Sequence, residues 1–318
     1  MPFNTFNSVA RLPNKTGGGV SVSGANWVAV GEGTNIIATS IDGIIWTNNG
    51  TSIFSTSGRG AAYGNGLWVA VGIGTSHTIA TSPDGIVWTG LSNSIFSQNG
   101  LGVAYGNGLW VAVGTGTSHT IATSPDGIIW TGKGKTIFST AGRGVAFNNG
   151  LWVAVGEGTN TIATSSDGII WTGINTSVFS TRGYGVAYGN GLWVAVGEGT
   201  TNTIATSPDG VVWTGRGKTI FSTRGYSVAF ANGLWVAVGY GTNSIATSPD
   251  GIVWTGLSTT IFSTAGYGVA FGNGLWIAVG DGSNSIATSP DGVAWTGRTL
   301  KTIFSTRGYG VAFKNEIV

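Results

Sequence analysis

Of the 12 carboxylates in this chain, seven recur at one place in a repeated Ser-x-Asp-Gly pattern: Asp42, Asp84, Asp126, Asp167, Asp209, Asp250 and Asp291. A catalytic centre needs unlike groups converging on one point, whereas a residue present in every copy of a repeat is distributed around the fold and answers to local turn energetics. These seven are therefore read as structural turn residues. Glu32, Glu157, Glu198, Asp281 and Glu316 remain for chemistry. The two histidines, His77 and His119, occupy equivalent places in neighbouring copies, each within Thr-Ser-His-Thr, and are carried as candidates for a shared ligand. Two imidazoles without a third ligand at a set spacing do not specify zinc, and no cysteine is present to supply thiolate, so no metal site and no cofactor is expected. The Gly-x-Gly-Thr stretches lack the following helix and the Lys-Ser/Thr pair that a phosphate-cradling loop requires.

The elements that must hold these residues come from a repeat. All 14 tryptophans fall into two series, Trp27, Trp68, Trp110, Trp152, Trp193, Trp235 and Trp276, and Trp46, Trp88, Trp130, Trp171, Trp213, Trp254 and Trp295, at a period of about 41 to 42 residues. Around Trp110 the apolar runs predict strands at Val103–Tyr105, Leu109–Val113, Thr120–Thr123 and Ile128–Thr131. Asn107-Gly108 is a hairpin turn, Ser124-Pro125-Asp126-Gly127 is a tight turn, and four strands in sequence make an antiparallel meander. A lone meander of this size leaves its faces uncovered, so the copies must stack. The period predicts an all-β fold, a seven-bladed β-propeller of four-stranded antiparallel blades, in preference to a β-solenoid with its shorter coils. Residues 1–18 match the repeat poorly and are read as an N-terminal arm, with 19–318 as one propeller. The innermost-strand pattern occurs once too often, at Val20–Ser23 and at Val311–Phe313; the ring is expected to close by pairing of the chain ends, with Val311–Phe313 favoured to enter the first blade. The tryptophans are expected in the core, with their indole N–H groups satisfied locally.

The turn SPDGIIW resembles the Asp-box, or bacterial-neuraminidase repeat, of sialidase-like propellers: Ser/Thr-x-Asp, then Gly, then Trp, as in Ser124-Asp126-Gly127-Trp130 and six further copies. The family usually carries one residue between Asp and Gly, and this chain carries none. The resemblance implies the propeller fold, with the motif as a turn between the third and fourth strands on the face opposite the catalytic centre. It implies no activity.

What varies between copies carries the functional reading. The connections between second and third strands offer Glu32, Ile73, Thr115, Glu157, Glu198, Tyr240 and Asp281, and those between blades offer Arg59, Leu101, Arg143, Tyr184, Tyr226, Tyr267 and Tyr309, with Arg182, Arg224 and Arg307 just before three of the tyrosines. Both sets are expected on one face, the second ringing the channel mouth. Of the 14 basic residues, 11 lie in the blade-to-blade connections. Such a ring suits a glycan, acidic sugars included, or a protein loop, against the plainer reading of tyrosines packing between blades and arginines solubilising the rim. The net charge of +2, with 8% charged residues, points away from nucleic acid, and no apolar run approaches a membrane span. Met1–Lys15 shows no export signal, so a soluble, monomeric chain of unassigned compartment is expected. No copy combines the Tyr, Glu and Asp of a sialidase-like hydrolase, so the leading reading is a non-enzymatic binding propeller, with lectin-like binding of a glycan among the modes that fit. The alternative is a purely structural repeat, such as a virion or surface component or an amplified or engineered scaffold, which the high internal identity would suit.

Overall fold

A computed structural model describes residues 24–50, 53–299 and 302–314. They form seven four-stranded antiparallel blades around a channel, a β-propeller. In the fourth blade the strands run Ala141–Asn148, Leu151–Glu157, Ile162–Ser165 and Thr172–Asn175, paired in chain order from the channel outward. Six blades join their first two strands through Asn-Gly turns with both residues at positive φ, as at Asn149 (50°) and Gly150 (72°), the conformation whose twist matches paired strands.

The second strand explains why LWVAV reads as an unbroken apolar run. Trp152, Val153, Ala154 and Val155 are all fully buried, because a strand in mid-blade is covered on both faces by neighbouring blades. Trp152 packs with Val111, Val113, Ile121 and Phe138 from the preceding copy, so each interface is a small core of its own. The tryptophan also meets an aromatic of its own innermost strand, Phe147 at 4.9 Å between centroids. That phenyl lies against Gly106 of the preceding blade, where a β-carbon would collide with its ring.

Closure follows the expected route. Arg307–Phe313 pairs antiparallel with Trp27–Glu32, with Trp27 opposite Phe313, and supplies the innermost strand of the first blade. The other candidate, Val20–Ser23, lies outside the described residues, as does the arm 1–18.

Two expectations need correction. The fourth strand near Trp130 is Thr131–Gly132, shorter than the apolar run that predicted it. Asp126 Oδ1 accepts the N–H groups of Ile128 and Ile129, both at 2.8 to 2.9 Å, and so withdraws them from any ladder; the two side chains are exposed in the turn. The second tryptophans satisfy their N–H locally as expected, Trp130 Nε1 donating to the Gly127 carbonyl at 2.9 Å. In the first series, however, Trp110 and Trp235 have buried Nε1 atoms with no hydrogen-bond partner among the described residues, because the indole edge abuts the turn glycine. No helix among the described residues is long and apolar enough to cross a membrane.

Candidate functional site

Each innermost strand begins with a break in register, and the broken residue is the one that varies between copies. In the fourth blade Gly142 pairs with Gly156 and Gly144 with Val155, leaving Arg143 unpaired as a β-bulge. The same shift isolates Arg59, Leu101, Tyr184, Tyr226, Tyr267 and Tyr309. A bulge re-aims its side chain out of the alternation of the strand. Seven of them therefore deliver seven side chains of three kinds, four Tyr, two Arg and one Leu, to one place, and all seven, with Arg307, line a cavity of about 260 Å³ at the channel mouth.

The residue after the bulge sets how tightly the ring can close. A β-carbon on Gly144 would stand 2.5 Å from the Tyr184 carbonyl oxygen of the next blade, and on Gly102 2.7 Å from that of Arg143. Innermost strands thus meet backbone to backbone at the channel.

The mouth is divided. Tyr184, Tyr226, Tyr267 and Tyr309 come from successive blades and contact one another in series, with centroids 4.9, 4.7 and 5.3 Å apart and planes tilted by 47° to 64°. Each ring leans on the next, so the arc offers edges and hydroxyls more than open faces. Burial pushes the Tyr226 and Tyr309 phenols up to about 12 and raises Tyr184 as well. All three therefore remain protonated donors at neutral pH. Tyr309 donates to Glu32 at 2.8 Å and Tyr184 to Glu198 at 3.3 Å, while Tyr226 accepts from Arg224 at 3.4 Å.

The remaining arc holds Arg59, Leu101 and Arg143. Arg143 is bound to Glu157 at 2.7 Å, Arg182 lies between Glu157 and Glu198 at 3.6 and 3.5 Å, Arg224 is 3.5 Å from Glu198, and Arg307 is 4.0 Å from Asp281. The acids at the ends of the second strands thus neutralise most of the arginines. Arg59 is the exception: no carboxylate among the described residues lies within ion-pair distance, and its guanidinium is stacked 3.7 Å from the Tyr309 ring centroid, across the blade junction that closes the propeller. The Nε–H groups of Arg59, Arg143, Arg182, Arg224 and Arg307 are buried without hydrogen-bond partners among the described residues.

The structure does not bring the histidines to this place. His77 opens the third strand of its blade and His119 lies just before the corresponding strand Ile121–Ser124, each ring resting on a glycine of the fourth strand, Gly90 and Gly132. His119 Nδ1 accepts the Gly134 N–H at 3.0 Å, the bond that Asn202 Oδ1 makes with Gly217, and His77 Nδ1 lies 2.8 Å from the Leu91 carbonyl. They stand in for asparagines that the other copies carry, a signal present in the aligned repeats. Among the described residues no three His, Asp or Glu side chains are grouped to hold a metal.

The seven turn aspartates lie at the opposite end of the blades. Asp126 Oδ1 accepts from Ile128, Ile129 and the Ser124 hydroxyl, and its equivalents repeat these bonds. The backbone donors hold these carboxyls below their ordinary range; at Asp84 burial opposes them and the hydrogen bonds prevail. Sequence reasoning placed the mouth residues on one face but missed the bulge that aims them and the acids that pair them. The Gly-x-Gly flanking most of those positions was the available signal.

No family model matches the chain, and no curated protein matches it. Solved structures do. A computationally designed protein, Ika8, is 11% identical over 92% of each chain with a TM-score of 0.56. YCF48 bound to D1 peptide is 16% identical over 82% of this chain and 93% of its own, with a TM-score of 0.57. A chain of a nidogen/laminin complex is 13% identical over 79% and 99%, with a TM-score of 0.55. At these identities the likeness establishes the fold, a β-propeller of repeated four-stranded blades.

Proposed function

We propose that this chain is a non-enzymatic binding propeller whose channel mouth takes an acidic segment of a peptide or protein loop, with Arg59 as the anion anchor. The observation that carries this reading is Arg59 itself. A cation held against an aromatic ring, with a buried N–H unused and no carboxylate of the described residues within ion-pair distance, leaves a charge that a ligand carboxylate would complete. The tyrosine hydroxyls opposite supply further polar contacts, and Leu101 an apolar one. The solved complexes of similar fold with a D1 peptide and with a protein partner favour a polypeptide ligand. A glycan ligand, specifically an acidic sugar, would use the same anchor, but the tilted tyrosines leave little open face for sugar stacking. The turns support kinship with the Asp-box propellers, since Ser, Asp, Gly and Trp form one hydrogen-bonded unit in every blade.

Display selection from a random nine-residue peptide library tests the reading. Enrichment of Asp- and Glu-rich sequences by the native chain, lost with Arg59→Gln, is expected. No enrichment at high protein concentration, or enrichment indifferent to Arg59, refutes it. A glycan array run beside it identifies the sugar alternative, and turnover of a fluorogenic glycoside panel would overturn the non-enzymatic assignment.

A further inference from the structure

The two faces of the disc carry opposite charge. Ten of the eleven lysines and arginines among the described residues lie on the mouth side, five on the outermost strands and the connections that follow them and five at the starts of the innermost strands, against four carboxylates at the ends of the second strands. Among the described residues the far side holds the seven turn aspartates and a single cation, Lys314. Within the described residues the imbalance is six charges positive on one side and six negative on the other, while the whole chain carries only +2. Net charge conceals a strong axial polarity.

The acidic side also carries the exposed apolar surface. Of fifteen large apolar side chains exposed among the described residues, fourteen lie in the turns between third and fourth strands, mostly as an Ile or Val pair directly after the turn glycine. Ile45, Ile129 and Ile170 are 70% to 75% exposed. At about 50–100 Å² apiece, they exceed together the few hundred Å² usual for a monomer's largest patch, though they are set out as seven stations. Nothing in the turn requires this: the bonds to Asp126 Oδ1 use only the backbone N–H groups of Ile128 and Ile129. A polar pair would satisfy the turn equally well.

We propose that copies of this chain associate head to tail, the acidic, apolar-studded face of one seated on the basic mouth side of the next. A pairing of two acidic faces would match apolar with apolar but would set seven carboxylates against seven, whereas the head-to-tail arrangement sets them against the excess of cations. The interface is heterologous and coaxial, so it does not close, and association continues beyond two copies. It covers the mouth in every copy but the last. Arg59 is one of the ten cations counted, but Lys133, Lys135, Arg216, Lys218 and Arg298 of the outer ring are separate from it, so failure of one reading leaves the other standing.

Sedimentation velocity across micromolar concentrations at low and moderate salt tests this. The mass of the native chain is expected to rise with concentration past two copies at about 20 mM salt and to return towards the 32.3 kDa single chain at about 300 mM, where screening is far stronger. Ile45→Ser/Ile129→Ser/Ile170→Ser, all exposed, is expected to weaken association at least tenfold with unchanged circular dichroism, and Lys135→Glu/Lys218→Glu to do the same from the other side. Arg59→Gln, which removes a single charge at the centre of the mouth, is expected to weaken it by less than about threefold. A single-chain mass at every concentration, growth that stops at two copies, or association indifferent to both multiple variants overturns the proposal.

Discussion

Phe313→Ala probes the closure of the ring. In six blades the innermost strand is tied to its neighbour by a two-residue turn, but the closing strand Arg307–Phe313 and its partner Trp27–Glu32 stand about 280 residues apart in the chain. Phe147 is the control. It makes the same contacts as Phe313, each lying 4.7 to 4.9 Å from a buried tryptophan and against a glycine of the preceding blade. Both rings are half-buried, so truncation to alanine is expected to cost about 2–3 kcal/mol at either site, below the 3–5 kcal/mol of a fully buried Phe. Global stability should thus fall alike. Local opening should not, because a two-residue turn holds Ala141–Asn148 beside Leu151–Glu157 when its contacts loosen, whereas no turn ties Arg307–Phe313 to Trp27–Glu32. The closing strand is therefore expected to open more readily than Ala141–Asn148, and Phe313→Ala to lower its protection further while Phe147→Ala spares it. Hydrogen exchange read by mass spectrometry on the two strands is the assay. Equal exchange of both strands in the Phe313→Ala chain would refute the reasoning.

Other consequences are as direct. The turn aspartates have folded pKa values below those of the unfolded chain, so their stabilisation is present above the ordinary carboxylate range and is lost as pH falls through and below it; the thermal midpoint should hold from pH 7 to 5 and drop below about pH 4. A flat profile down to pH 2.5 would contradict this. Tyr226 and Tyr309, raised to about 12, should titrate last in an ultraviolet phenolate titration, and stability should decline as pH rises from about 10 towards 12, because the unfolded phenols ionise first. Trp130→Phe removes the bond to the Gly127 carbonyl and should cost about 1 kcal/mol, near 2 °C in the thermal midpoint of a chain this size, as measured by calorimetry.

The blade was legible in the sequence because its determinants are local. Asn149-Gly150 and Ser124-Pro125-Asp126-Gly127 each dictate a turn within four residues, and a period of about 41 residues then dictates stacking. Local reasoning failed where one atom acts at short range against the pattern: Asp126 Oδ1 takes the N–H groups of Ile128 and Ile129 and denies a strand to an apolar run. The histidines show a related limit, since a side chain bound to the backbone of its own blade looks in sequence like a free ligand.

By itself, then, the sequence determined the first three strands of each blade, the turns, the number of blades and the face on which the variable residues gather. Only the tertiary structure decided that Tyr309 sits under Arg59, that Arg182 bridges Glu157 and Glu198 across a blade boundary, and that among the arginines described at the mouth Arg59 is the one left without an acid. Those contacts join residues of different blades, up to some 250 positions apart, and depend on a bulge whose effect is to turn one side chain towards the axis. Periodicity specifies what each blade is. Which unlike residues meet at the mouth is settled by the closing of the ring.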